Sequence, residues 1–494
     1  MKRILVVAVA ITASVVLAGA VPNNDQAIIH VLNRIGFGPR PGDVERVRAI
    51  GLERYVDEQL HPERLADAPM TARLRGLTTI GLSAREIAER YERPAMEARR
   101  ERRQNARGGE PEPERQKRAD SIRQQANRVL AELTEQKLLR AVYSERQLQE
   151  VLVDFWFNHF NVDARKNRER FLLTEYERDA IRPRVLGRFR DLLEATARDP
   201  AMLVYLDNWL SASASATAPD MPAADAMARP VERLRVGPSR VVRPGLVSEQ
   251  NAAERKKAPR GLNENYAREL MELHTLGVDV GYTQKDVTEV ARAFTGWTIE
   301  NPRRGSGFRF EPRMHDSGAK VVLGHTIKAG GGESDGERVL DILATHPSTA
   351  RFIATKLARR FVSDVPPPAL VDRAAARFRD TRGDLREVTR TILTSPEFRS
   401  ADAYYAKVKT PFDFVVSALR ATAAEVEDAR PIVRELQQLG MPLYMCQPPT
   451  GYKDTADAWV NTGALVSRMN YALKLARNDK DLALTLGAPE FQKR

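Results

Sequence analysis

Apolar residues recur at helical spacing along almost the whole 494-residue chain, while strict alternation is confined to one short stretch. That contrast constrains the fold more than any other feature, because residues that share a face every 3.6 positions cannot also line one face of a strand. Ile28, Ile29, Leu32 and Ile35 mark a first face. After a Gly/Pro break at 36–42, Val44, Val47, Ile50, Tyr55, Val56 and Leu60 continue on two further short helices. A charged helix is expected over 83–107, a long one over 115–143 and an unusually aromatic one over 150–161. Others are expected over 170–197, 201–209, 263–276 and 283–295, the last opened by Thr283 and Asp286 in capping-box spacing. Ser348, Pro368, Asp384 and Pro411 mark later helix starts, and Gly383 and Gly440 mark breaks. The alternation falls at 308–327, where Phe308 and Phe310 flank a polar residue and Val321-Val322 follow a turn. The fold class is therefore mainly α: a multi-helix globular bundle with a small β-hairpin insertion at about 305–327.

Residues 211–260 break the pattern. They are rich in Ala, Ser, Pro and Arg and poor in large apolar residues, so they cannot bury enough surface to offset ordering entropy. A disordered loop is expected there, interrupting one large helical domain over 25–490. At the N-terminus, Lys2 and Arg3 precede an apolar run over 4–17 and the small residues Ala18-Gly19-Ala20. This reads as a signal peptide over 1–20, cleaved near Ala20, which makes the mature protein periplasmic or secreted. Retention as an anchor is the alternative, since the run approaches the ~20 residues that cross a bilayer. Cys446 is the only cysteine, which excludes an intrachain disulfide, cysteine-ligated zinc, iron–sulfur clusters and c-type haem. Next to Gln447-Pro448-Pro449 it reads as a small apolar filler. The net charge of +12 favours acidic partners, but many glutamates dilute it. A weak contact of the Arg-rich stretch 99–128 with an anionic surface stays open, and no specific nucleic-acid partner is expected.

No phosphate-binding loop, nucleophile elbow, zincin helix or dinucleotide fingerprint is present. Three constellations remain. In Asp154-Phe155-Trp156-Phe157-Asn158-His159-Phe160-Asn161, a histidine among aromatics can serve as a base or ligand, or as a core residue holding one hydrogen bond. In the stretch 263–275, Glu264, Arg268 and Glu272 form a helical stripe flanked by Glu269, with His274 on the buried side. The bland reading is a ladder of i,i+4 ion pairs; the functional one supplies two carboxylates and a histidine to a buried centre. The third is His315-Asp316 with Lys320 in the β segment.

These motifs, together with His30-Val31-Leu32-Asn33-Arg34-Ile35-Gly36-Phe37-Gly38, Phe294-Thr295-Gly296-Trp297, His346-Pro347-Ser348-Thr349-Ala350-Arg351-Phe352 and Pro489-Glu490-Phe491-Gln492, are what the chain shares with a known family. It resembles the bacterial domain-of-unknown-function family 1800 over nearly its whole mature length. The resemblance implies an exported protein and, as a partner, an exported sulfatase-like protein of domain-of-unknown-function family 1501. It implies no reaction. The chain departs from the family around 99–118, in the Ala/Ser-rich stretch after Trp209, and at Gly451-Tyr452-Lys453.

Two functional readings follow. In the first, a metal-assisted envelope hydrolase places His159, His274, His315 and Asp316 around one divalent metal. Glu269 or Glu272 then acts as general base, and Arg268 or Lys320 stabilises developing negative charge. In the second, a non-catalytic binding or assembly protein uses the same residues as buried polar struts that hold helices in register.

Overall fold

A computed structural model describes residues 24–105, 113–213, 261–278, 280–301, 307–476 and 479–494. The expected signal segment over 1–20 and residues 214–260 of the loop expected over 211–260 lie outside them, whereas 211–213, expected to be part of that loop, are described and buried. The described chain is mainly helical, as the periodicity predicts, with two small antiparallel two-stranded sheets. One apolar cluster runs from Ile28 to Leu486 and takes residues from helices on both sides of the 214–260 gap. Trp156, Phe160, Tyr176, Phe189, Tyr266, Phe294 and Trp297 are among its largest fully buried members.

Helix ends follow the local chemistry of the chain. Thr283 and Asp286 cap the helix Gln284–Ala293 reciprocally, and Thr410 and Asp413 do the same for Pro411–Ala421. Each such cap satisfies two backbone donors that would otherwise be orphaned, and losing one costs ~1 kcal/mol. Asp384 caps Leu385–Leu393 as expected, whereas Pro347–Phe361 is capped by His346 rather than Ser348. The expected helix over 263–276 is Glu264–Glu269 followed by a π-helical turn, Leu270–Thr275.

The β insertion is larger than its alternation suggests. Strand β1, Trp297–Ile299, pairs antiparallel with β2, Phe308–Phe310, and β3, Lys320–Val322, pairs with β4, His325–Ile327. β1 escapes a period-2 reading because all three of its residues are buried. The second hairpin turns at Leu323 and Gly324, both at positive φ (49° and 80°), the backbone that tight hairpin turns need.

Buried arginines tie distant segments together through backbone carbonyls. Arg34 donates to the carbonyls of Phe361 and Ala403. Arg420 donates to those of Gly38 and Val142, at 2.7 Å each, and to Asp43. His30 meets the carbonyl of Phe398 at 2.9 Å and stacks on Tyr404. The N-terminal motif at 30–38 is thus a fastening between the two ends of the chain.

Candidate functional site

The aromatic helix Gln147–His159 ends at His159, whose ring is buried against Trp156 and Phe160. Two neighbours fix its tautomer. The Lys356 ammonium donates to Nδ1 at 2.9 Å, so Nε2 carries the proton and donates to the His274 carbonyl, 3.1 Å away. That carbonyl belongs to the π-helical turn, whose wider winding brings His274 to a ring separation of 6.3 Å from His159. Burial and the nearby Lys356 push His159 well below the ordinary imidazole range, and the same two causes lower His274 to about 3. Burial lowers Lys356 itself to about 8, with Arg359 adding to the effect and Asp454 opposing it. Both histidines are therefore neutral, and the half-buried Lys356 amine beside them has no carboxylate partner among the described residues.

The acids of the second motif face elsewhere. Glu272 accepts from the Tyr282 hydroxyl at 2.6 Å and pairs with Arg268 at 3.6 Å. Glu264 does not complete the expected ladder; it takes hydrogen bonds from Gln284 and Thr288. Glu269 is half-buried, and burial followed by its neighbour Glu272 raises its carboxyl.

His315, Asp316 and Lys320 form a second, closed cluster. His315 directs Nδ1 at the Thr295 carbonyl (2.8 Å) and Nε2 at Asp335 Oδ2 (3.2 Å). The same Asp335 oxygen takes a 2.7 Å bond from Lys320, which spends its other donors on the carbonyls of Asp316 and Gly318. Lys320 is 0% and Asp335 1% exposed. Burial tends to raise Asp316, but hydrogen bonds from Arg292 and the Gly318 N–H outweigh it and hold the carboxyl low. Gly331 is shaped to this cluster, since a Cβ there would lie 1.9 Å from Asp335 Oδ1.

The single centre expected around His159, His274, His315 and Asp316 is not the arrangement of the described residues. His159 and His274 meet Lys356 and aromatic rings; His315 and Asp316 meet Thr295, Asp335, Lys320 and Arg292. His159 lies between the Lys356 ammonium and the His274 carbonyl, and His315 between the Thr295 carbonyl and Asp335, so protein atoms stand at hydrogen-bond distance from every ring nitrogen of the two. Among the described residues no group of three or more His, Cys, Asp or Glu side chains is placed to hold one. Lys320 is locked on Asp335 and cannot reach a substrate.

The amides of the aromatic motif have structural work of their own. Asn158 exchanges two hydrogen bonds with the Tyr452 backbone, and Asn161 donates to the carbonyls of Cys446 and Pro448. Gly451 must be glycine here: its φ is 72°, and a Cβ would fall 2.2 Å from the Asn158 carbonyl. Cys446 is buried, as expected for a filler, and burial raises its thiol to about 11.

The model of a family described as Protein of unknown function (DUF1800) matches residues 30–493. The chain belongs to the DUF1800 family. No curated protein and no solved structure matches it. In this DUF1800 chain, sequence reasoning overlooked Lys356 and Asp335, the residues that engage the two histidines. A signal existed for each. Lys356 lies one helical turn past Phe352 on the same face, and Asp335 follows the Gly330-Gly331-Gly332 loop that makes room for it.

Proposed function

We propose that this DUF1800 protein is an exported, non-catalytic binding or assembly protein, whose motif residues are buried struts. The observation that carries this reading is the closed His315–Asp335–Lys320 cluster, in which each charged side chain is spent on another protein group. A buried network with every member satisfied rigidifies a core and specifies its packing. It offers nothing to a substrate. No described helix is long and apolar enough to cross a membrane, which is compatible with release after cleavage near Ala20.

The partner proposed is the exported sulfatase-like protein of family 1501 that the family resemblance implies. Co-expression of both proteins with their export signals, followed by isolation through a tag on one, should recover the other in fixed ratio. Failure to associate, together with turnover of ester, phosphate or sulfate substrates by this chain alone, would overturn the proposal.

A second reading, an envelope hydrolase, draws on the Lys356–His159 contact, where a half-buried amine of lowered pKa faces a neutral imidazole. It would work through Lys356 and His159 rather than through the set His159, Glu269, Glu272, His274, Arg268 and Lys320. Turnover lost in Lys356→Met, with folding intact, would favour it.

A further inference from the structure

The arginine-rich stretch divides unevenly once it is folded. On the long helix Pro113–Tyr143, Arg123 pairs with Asp120 at 3.2 Å and Arg128 with Glu132. On the helix before it, Arg93–Asn105, the exposed Arg93, Arg99, Arg100 and Arg103 have no carboxylate partner among the described residues. At about 100° per residue these four and Met96 fall within a sector of roughly 120°, and Glu97 and Glu101 lie outside it. Away from that sector, Ala95 packs against the small apolar cluster of Ile87, Ala126, Val129 and Phe171. The fold therefore presents a helix face, roughly 20 Å long, that carries four positive charges and no acid.

Arg170, in the neighbouring turn Glu169–Phe171, adds a further positive charge near Arg99. Burial lowers its guanidinium, Glu92 opposes that, and the like charge of Arg99 adds to the lowering. Glu92 is itself buried and taken by Arg168, which leaves the two arginines in excess. Like charges held together by the fold attract an anion across them. Met96, 38% exposed, stands in the middle of the arginine sector. A methionine there gains little from the phosphates of a nucleic acid. At a phospholipid surface it reaches the boundary of the acyl layer while the arginines stay at headgroup level.

We propose that the helix Arg93–Asn105 lays this face on an anionic phospholipid surface, its arginines meeting headgroup phosphates and Met96 entering the boundary beneath them. The inference goes beyond the binding role proposed above and does not depend on it. Each arginine near such a surface strengthens binding about fivefold, and salt screens exposed charges, so attachment is reversible and salt-dependent.

Co-sedimentation of the purified protein with phosphatidylcholine vesicles, plain or mixed with phosphatidylglycerol, tests this. Binding to the mixed vesicles alone is expected, falling steeply as ionic strength rises from ~0.1 M to ~1 M and the screening length shrinks from ~10 Å to ~3 Å. Arg99→Gln with Arg103→Gln should weaken it about 25-fold. Both side chains are exposed, so this variant should keep the wild-type circular-dichroism melting profile. Arg313→Gln with Arg379→Gln, exposed arginines in other elements, removes the same charge and should leave binding within about twofold. A polarity-sensitive fluorophore on Met96→Cys should shift to the blue as mixed vesicles are added; Cys446, being buried, stays unlabelled. No binding at the lower salt, equal binding to plain vesicles, equal weakening by the two double variants, an unshifted fluorophore, or tighter binding to duplex DNA or heparin than to mixed vesicles would each overturn the proposal.

Discussion

Replacing Lys320 by methionine removes the centre of the closed cluster while keeping most of the side-chain volume. Its three hydrogen bonds end on the Asp316 and Gly318 carbonyls and on Asp335 Oδ2. The variant leaves the Asp335 carboxylate, 1% exposed, with His315 Nε2 at 3.2 Å as its remaining side-chain hydrogen-bond contact among the described residues. Breaking one side of a buried ion pair costs about 3–5 kcal/mol, because the surviving charge is stranded in a poorly polarisable interior. Removing the pair together avoids that cost, so Lys320→Met with Asp335→Leu should recover most of the loss. Urea unfolding followed by tryptophan fluorescence suits the test, since buried Trp297 packs against Gly336 of the Asp335 helix. The double-mutant cycle reads the coupling directly. A single-variant loss below about 1 kcal/mol, or a cycle without coupling, would refute the strut argument.

Further outcomes follow from the same contacts. Gly451→Ala should cost at least ~3 kcal/mol, because positive φ and the Asn158 carbonyl both oppose a Cβ, whereas Gly42→Ala, with open space around it, should cost about 1 kcal/mol; similar urea midpoints for the two would contradict this. His274, lowered from 6.5 to about 3, is held neutral by the fold. Its contribution is therefore complete above pH 6.5 and is lost as pH falls from there towards 3. Between pH 7 and pH 5 wild type should lose about 2 kcal/mol relative to His274→Gln, and parallel pH–stability curves would exclude the assignment.

The mainly helical class was legible because apolar spacing and capping residues such as Thr283, Asp384 and Pro411 act within one or two turns. The pairing of the aromatic helix with the 264–275 segment was legible in outline, and the His159–His274 contact joins them across the 214–260 gap. Three things were not. The π-helical winding at 270–275 leaves no mark in apolar periodicity, yet it sets which groups His274 and Glu272 face. β1 is buried throughout and shows no alternation. The partners of His159 and His315 come from Lys356, 197 positions away, and from Asp335 in another element. Motifs in a sequence show which residues are chemically capable, but the groups that face their ring nitrogens are a tertiary fact. His159 and His315 read as ligands until Lys356 and Asp335 are placed beside them.

The most direct test of that claim is the metal content of the purified protein, measured by plasma mass spectrometry after passage through buffer free of chelator. With both nitrogens of His159 and of His315 engaged inside the protein, the account predicts divalent metal far below one ion per chain, unchanged in a folded His159→Gln variant. One tightly bound ion per chain, lost in that variant while its fold is retained, would contradict it.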